Sequence, residues 1–131
     1  MGKVQGVSEI AFWVEDVEKA IEFYQSRFDF QIESHEPGQH AFLSSGDFLL
    51  VLFNPNDPGT SLAHEYLARV GTPQGGLYHV AFRVNRSEID AMAQDLREKG
   101  TAVKGPIDFG SGRRSYFFGD LDHHYIELTD R

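Results

Sequence analysis

Apolar and polar residues alternate through "VSEIAFWV", placing Ile10, Phe12 and Val14 on one side and Glu9, Ala11 and Trp13 on the other. A period of two with one apolar side predicts a strand covered on one face. The period then changes. In "VEKAIEFYQSRF" the apolar residues Ala20, Ile21, Tyr24 and Phe28 recur at helical spacing, and Asp16 stands before them as an N-cap. Three further strand-like runs follow, "FQIESH", "QHAFLSS" and "DFLLVLFN", separated by the turn-forming "EPG" and "SGD". The order is βαβββ.

From Leu77 the order restarts. "GLYHVAFRV" alternates as the first strand does, "SEIDAMAQDLREKG" reads as a helix opened by Ser87 and closed by Gly100, and "TAVKG", "RRSYFFGD" and "HHYIELTD" supply three strands. Residues 5–54 and 77–131 therefore read as two βαβββ modules of one domain. They are joined by a Pro- and Gly-flanked linker at 55–76, with a short helix near "SLAHEYLARV". "EIAFWV" recurs as "HVAFRV", so the position of Glu9 in the first module is that of His79 in the second. Such a repeat is a fold signal before it is a functional one.

A chain of 131 residues suffices for one compact domain and is too short for two independent enzymes. Its net charge of −8 disfavours nonspecific binding to nucleic acid or anionic lipid and turns attention to a small-molecule partner. The absence of cysteine excludes disulfide scaffolds, thiolate metal sites and cysteine nucleophiles. No apolar run approaches the roughly 20 residues of a membrane span. We therefore expect a soluble, cytoplasmic protein.

If the apolar strand faces pack under the helices, Glu9 and His79 point to the opposite faces. Glu127 does so too, because Tyr125, Glu127 and Thr129 alternate with Ile126 and Leu128. Two carboxylates and one imidazole at strand positions suit an open, catalytic divalent-metal site. The alternative is two rim carboxylates and a hydrogen-bonded interior histidine, and the pattern leaves both open.

At this point the chain resembles the vicinal oxygen chelate superfamily, which includes glyoxalase I, extradiol dioxygenases, and fosfomycin and bleomycin resistance proteins. The likeness runs over nearly the whole chain. It is carried by "FWVEDVEKAIEFYQSRFDF", similar to the family's first strand and helix, and by "YFFGDLDHHYIEL", similar to a "YFxDPDGHxxEL" ending. The resemblance implies an α+β fold in which two βαβββ modules pair into a curved, partly open eight-stranded sheet around a cleft. It places metal ligands at His79, at Glu127 and, where many relatives carry histidine, at Glu9. Val51 stands where glyoxalase I has a glutamate, which leaves Glu9 as the general base and weakens a glyoxalase assignment. A set of one histidine and two carboxylates favours manganese, magnesium, zinc or nickel over iron and disfavours ring-cleaving dioxygenase chemistry. Fosfomycin-type transferases use three ligands at these positions, the first a histidine. Leu121 and His123 depart from the family's proline and glycine.

Arg113 and Arg114, with Ser115, lie just before a strand expected to line the cleft, and arginine forks suit a carboxylate or phosphate. Trp13 and Arg83 occupy equivalent positions four residues beyond Glu9 and His79, and with Tyr125 they are candidate substrate contacts. The expected function is metal-stabilised enolate or oxyanion chemistry of the lyase, isomerase or transferase type on a small oxygenated molecule. The alternative is a metal-free binding protein of the bleomycin-resistance type. Unpaired sheet edges predict a homodimer.

Overall fold

The computed structural model describes residues 2–58, 79–108, 110 and 112–130. The expected linker helix near "SLAHEYLARV" lies outside the described residues. The chain divides into two compact units between Thr72 and Pro73.

The first unit runs β1 (Glu9–Trp13), α1 (Val17–Phe28), β2 (Gln31–Glu36), β3 (His40–Ser45) and β4 (Phe48–Phe53). Its sheet has the order β1-β4-β3-β2. β1 lies parallel to β4, with Ile10 beside Leu50 and Phe12 beside Leu52, so the apolar sides of both strands share a face. The Asp16 carboxylate accepts from the Lys19 amide at 3.0 Å and fixes the start of α1. Asp29 ends the helix in the left-handed region at φ 56°, its amide donating to the Gln25 carbonyl. Val17, Ala20, Ile21, Phe23 and Tyr24 of α1 are buried, as are Leu43, Leu50 and Leu52 of the sheet. The other face carries an aromatic group: His40 lies 5.5 Å from Phe42 and 5.8 Å from Phe53, and Trp13 lies 6.2 Å from Phe53.

One surface contact ties α1 to the β2–β3 turn. The Glu18 carboxylate sits 2.7 Å from His35 Nε2 and also accepts from the Gly38 amide. These two hydrogen bonds, His35's the larger, hold Glu18 below its ordinary 4.5 against opposing effects of burial and Asp16. The unfolded carboxyl then binds a proton more readily than the folded one, so the contribution is complete above 4.5 and fades as pH falls through the lower folded value. Glu18→Gln is expected to cost less than about 1 kcal/mol at neutral pH, because the pair is exposed. Urea unfolding at neutral and acid pH checks this, with the difference from wild type shrinking in acid.

The second unit repeats the order: β5 (Val80–Arg83), α2 (Arg86–Glu98), β6 (Val103–Asp108), β7 (Arg114–Gly119) and β8 (Tyr125–Thr129). Its sheet order is β5-β8-β7-β6, again with a parallel first pair. α2 begins earlier than expected. Asn85, not Ser87, takes the cap position, and its carbonyl accepts from the Glu88 and Ile89 amides, which places Ser87 inside the first turn. Gly100, at φ +92°, closes the helix as expected, with the Thr101 amide donating to the Leu96 carbonyl. Ile89, Ala93 and Leu96 of α2 are buried, with Phe118, Ile126 and Leu128 of the sheet. Gly105 has to be glycine, since at φ +131° a Cβ would stand 2.9 Å from the Ser115 carbonyl oxygen. The fold is thus α+β, two mixed four-stranded sheets with, among the described residues, one helix each. No described helix is long and apolar enough to cross a membrane.

Candidate functional site

β8 is flanked by β5 on one side and β7 on the other, which sets Glu127 between Ala81 and Phe117. Inner-strand placement, more than sequence, makes this carboxylate interior, and its side chain is only 3% exposed. Each of its oxygens has a distinct task. Oε2 accepts from Arg113 Nη2 at 2.8 Å and from Ser115 Oγ at 2.7 Å. Oε1 lies 3.0 Å from Nε2 of His79, the residue just before β5. Arg113 is itself anchored, since its Nε donates to Thr129 Oγ1 at 2.9 Å. The rings of Phe117 and Tyr125 stack at 5.4 Å and both meet the His79 imidazole edge-on. His79 is therefore steered by two aromatic rings and Glu127 by two donors.

The donor chemistry fits a divalent cation. Imidazole nitrogen and carboxylate oxygen are both ordinary ligands of such ions. His79 Nε2 and Glu127 Oε1, 3.0 Å apart, would supply one of each. No third His, Cys, Asp or Glu side chain joins them among the described residues. Glu9 belongs to the first unit, at the exposed start of β1 beside Leu49.

The remaining expected site residues divide. Tyr125 is with His79, as described. Arg83 is exposed at the end of β5, level with Thr129. Trp13 lies in the aromatic group of the first unit, 38% exposed. Arg114 does not join Arg113. As adjacent residues at a strand start they face opposite ways, and Arg114 Nε donates to Asp90 Oδ1 of α2 at 2.6 Å. Tyr116 donates to the same oxygen at 2.6 Å. Arg114's hydrogen bond, followed by that of Tyr116, lowers the Asp90 pKa, while burial and then Asp90 raise that of Tyr116. Arg114 serves the helix-to-sheet packing.

The turn before β8 also departs from expectation. The strand opens at Tyr125, and His123 sits in the turn at φ 66°, so strand alternation does not govern the His123–His124 pair. Asp120 organises this turn. Its nearly buried carboxylate accepts from the amides of Asp122 and His124 and lies 2.8 Å from His124 Nδ1. Sequence reasoning passed over Asp120, although an aspartate four residues before a histidine, after glycine, is a turn signal.

A fold of two βαβββ units, with a histidine and a glutamate meeting at the paired first and last strands of the second, defines a class. Residues 6–128 match the Glyoxalase/Bleomycin resistance protein/Dioxygenase superfamily, and the chain belongs to it. Among curated proteins it is similar to the fosfomycin resistance protein FosX of Listeria monocytogenes serovar 1/2a, 29% identical over 130 residues, covering 95% of this chain and 89% of that one. It is also similar to the metallothiol transferase FosB of Staphylococcus epidermidis, 28% identical over 131 residues, covering 96% and 82%. Among solved structures it is similar to TnmS3, an antibiotic binding protein from Streptomyces sp. CB03234. That match has a TM-score of 0.71 and 26% identity, covering 98% of this chain and 97% of the other.

Proposed function

We propose that this protein is a divalent-metal-dependent enzyme of the superfamily that adds a nucleophile to a small oxygenated molecule of the fosfomycin type. His79 and Glu127 are two of its metal ligands. One observation carries the reading: a buried carboxylate is pinned through one oxygen and presents the other to an imidazole nitrogen at 3.0 Å. When bound, the ion supplies Lewis acidity that stabilises an oxyanion. Ser115 and Arg113 keep Glu127 oriented, and Phe117 and Tyr125 hold the imidazole edge-on. The likeness to FosB, a metallothiol transferase, supports transfer chemistry over isomerisation or ring cleavage.

A second reading has its own support. Arg113 neutralises Glu127 without any ion, as a metal-free binding protein would require, and TnmS3 is an antibiotic binding protein. To separate the two, the chelated protein is incubated with fosfomycin and either water or a panel of thiols, with Mn2+, Mg2+, Zn2+ or Ni2+ added back. Products are followed by mass. The enzyme reading expects turnover with at least one ion and a loss of at least about a hundredfold on chelation. No turnover with any ion, alongside antibiotic binding that survives chelation, establishes the second reading instead.

A further inference from the structure

We infer that Arg113 is an internal counter-cation for Glu127, a positioning residue that competes with a divalent ion for this carboxylate and so sets how strongly the site takes metal. The inference rests on the reading of His79 and Glu127 as metal ligands.

Arg113 is not a loosely solvated arginine. Its guanidinium is held at two points, Nη2 on Glu127 Oε2 at 2.8 Å and Nε on Thr129 Oγ1 at 2.9 Å, and its side chain is 29% exposed against 3% for Glu127. Guanidinium keeps its positive charge at any accessible pH. A cation arriving at Oε1 therefore meets a carboxylate whose charge is already compensated, and it meets a fixed positive charge on the far side of the same group. In a partly buried site such repulsion is weakly screened.

Geometry and charge at Glu127 have different sources. Ser115, fully buried, donates to the same oxygen at 2.7 Å and is tied to Thr129 at 3.3 Å, so orientation survives removal of the guanidinium. Among the described residues, Arg113 supplies the charge at Oε2. Arg114 cannot substitute for it, being engaged with Asp90 on the opposite face. Without Arg113 the pair becomes a buried carboxylate lacking its counter-ion, which destabilises the fold unless another cation replaces it. A divalent ion at His79 and Glu127 is that replacement.

The test measures Mn2+ binding by titration calorimetry, together with thermal unfolding with and without Mn2+, for wild type, Arg113→Met, Arg113→Lys, His79→Ala and Arg113→Met combined with His79→Ala. Arg113→Met is expected to bind Mn2+ at least about tenfold more tightly than wild type. It should melt lower than wild type without metal and recover that loss when Mn2+ is added. Arg113→Lys, which keeps the charge, stays near wild type on both measures. Divalent rescue is not what a merely structural arginine would show. If wild type binds Mn2+ in a His79-dependent way and Arg113→Met binds no more tightly, the inference is overturned while the metal reading stands. If wild type binds none but Arg113→Met gains His79-dependent binding, the inference holds and the native protein is the metal-free binder. If neither binds, both fall.

Discussion

Replacing Glu127 by alanine is expected to lower the stability of the metal-free protein by about 3–5 kcal/mol, because it strands the partner of a buried ion pair. The side chain is 3% exposed and is the common acceptor for Arg113 and Ser115, with His79 at its other oxygen. Alanine removes all three contacts and leaves the Ser115 hydroxyl, fully buried, with only its 3.3 Å approach to Thr129 among those described. Glu127→Gln keeps the volume and one carbonyl oxygen. It must turn an NH2 group toward either the two donors or the imidazole, so its cost is nearer about 1–3 kcal/mol. Urea unfolding after chelation measures both. A loss below about 1 kcal/mol for alanine would show that this carboxylate is solvated and is not the organising group of the second sheet.

His79→Ala has the opposite profile. Its effect on metal binding is expected to be at least about a hundredfold, since losing even an outer-shell partner of a ligand costs 10–100-fold. Its effect on stability is small by comparison: the imidazole is 29% exposed and its ring contacts are with Phe117 and Tyr125, which remain stacked on each other. Circular dichroism and a melting curve establish that the variant is folded, and Mn2+ titration reads the affinity. A folded His79→Ala protein with wild-type affinity would remove the residue from the metal site. A variant that fails to fold is replaced by His79→Gln, which retains bulk and loses the imidazole.

These expectations show where the sequence was informative. α1 runs from Val17 to Phe28 behind Asp16, as the change from period two to helical spacing predicts, because cap, apolar stripe and turn residues all agree. The alternation of Glu9 with Ile10 and of Glu127 with Ile126 also places the carboxylates on the faces away from the helices. Other features depend on tertiary context. Ser87 and Asn85 are both good caps two residues apart, and the helix starts from Asn85. Whether Glu127 sits on a rim or inside turns on β8 lying between β5 and β7, which local pattern does not fix. The two arginines were separable in principle. Period two carries Arg113 to the side of Ser115 and Arg114 to that of Tyr116 once the start of β7 is known. Asp120 was hidden because its role is to accept local amides, which resembles any turn aspartate until the buried geometry is seen.

Calorimetric titration of Mn2+ into chelator-treated, untagged protein asks whether His79 and Glu127 hold a divalent ion. One saturable site per chain is expected in wild type and none in folded His79→Ala. Mn2+ uptake that is equal in the two proteins, or absent from wild type, would contradict that assignment.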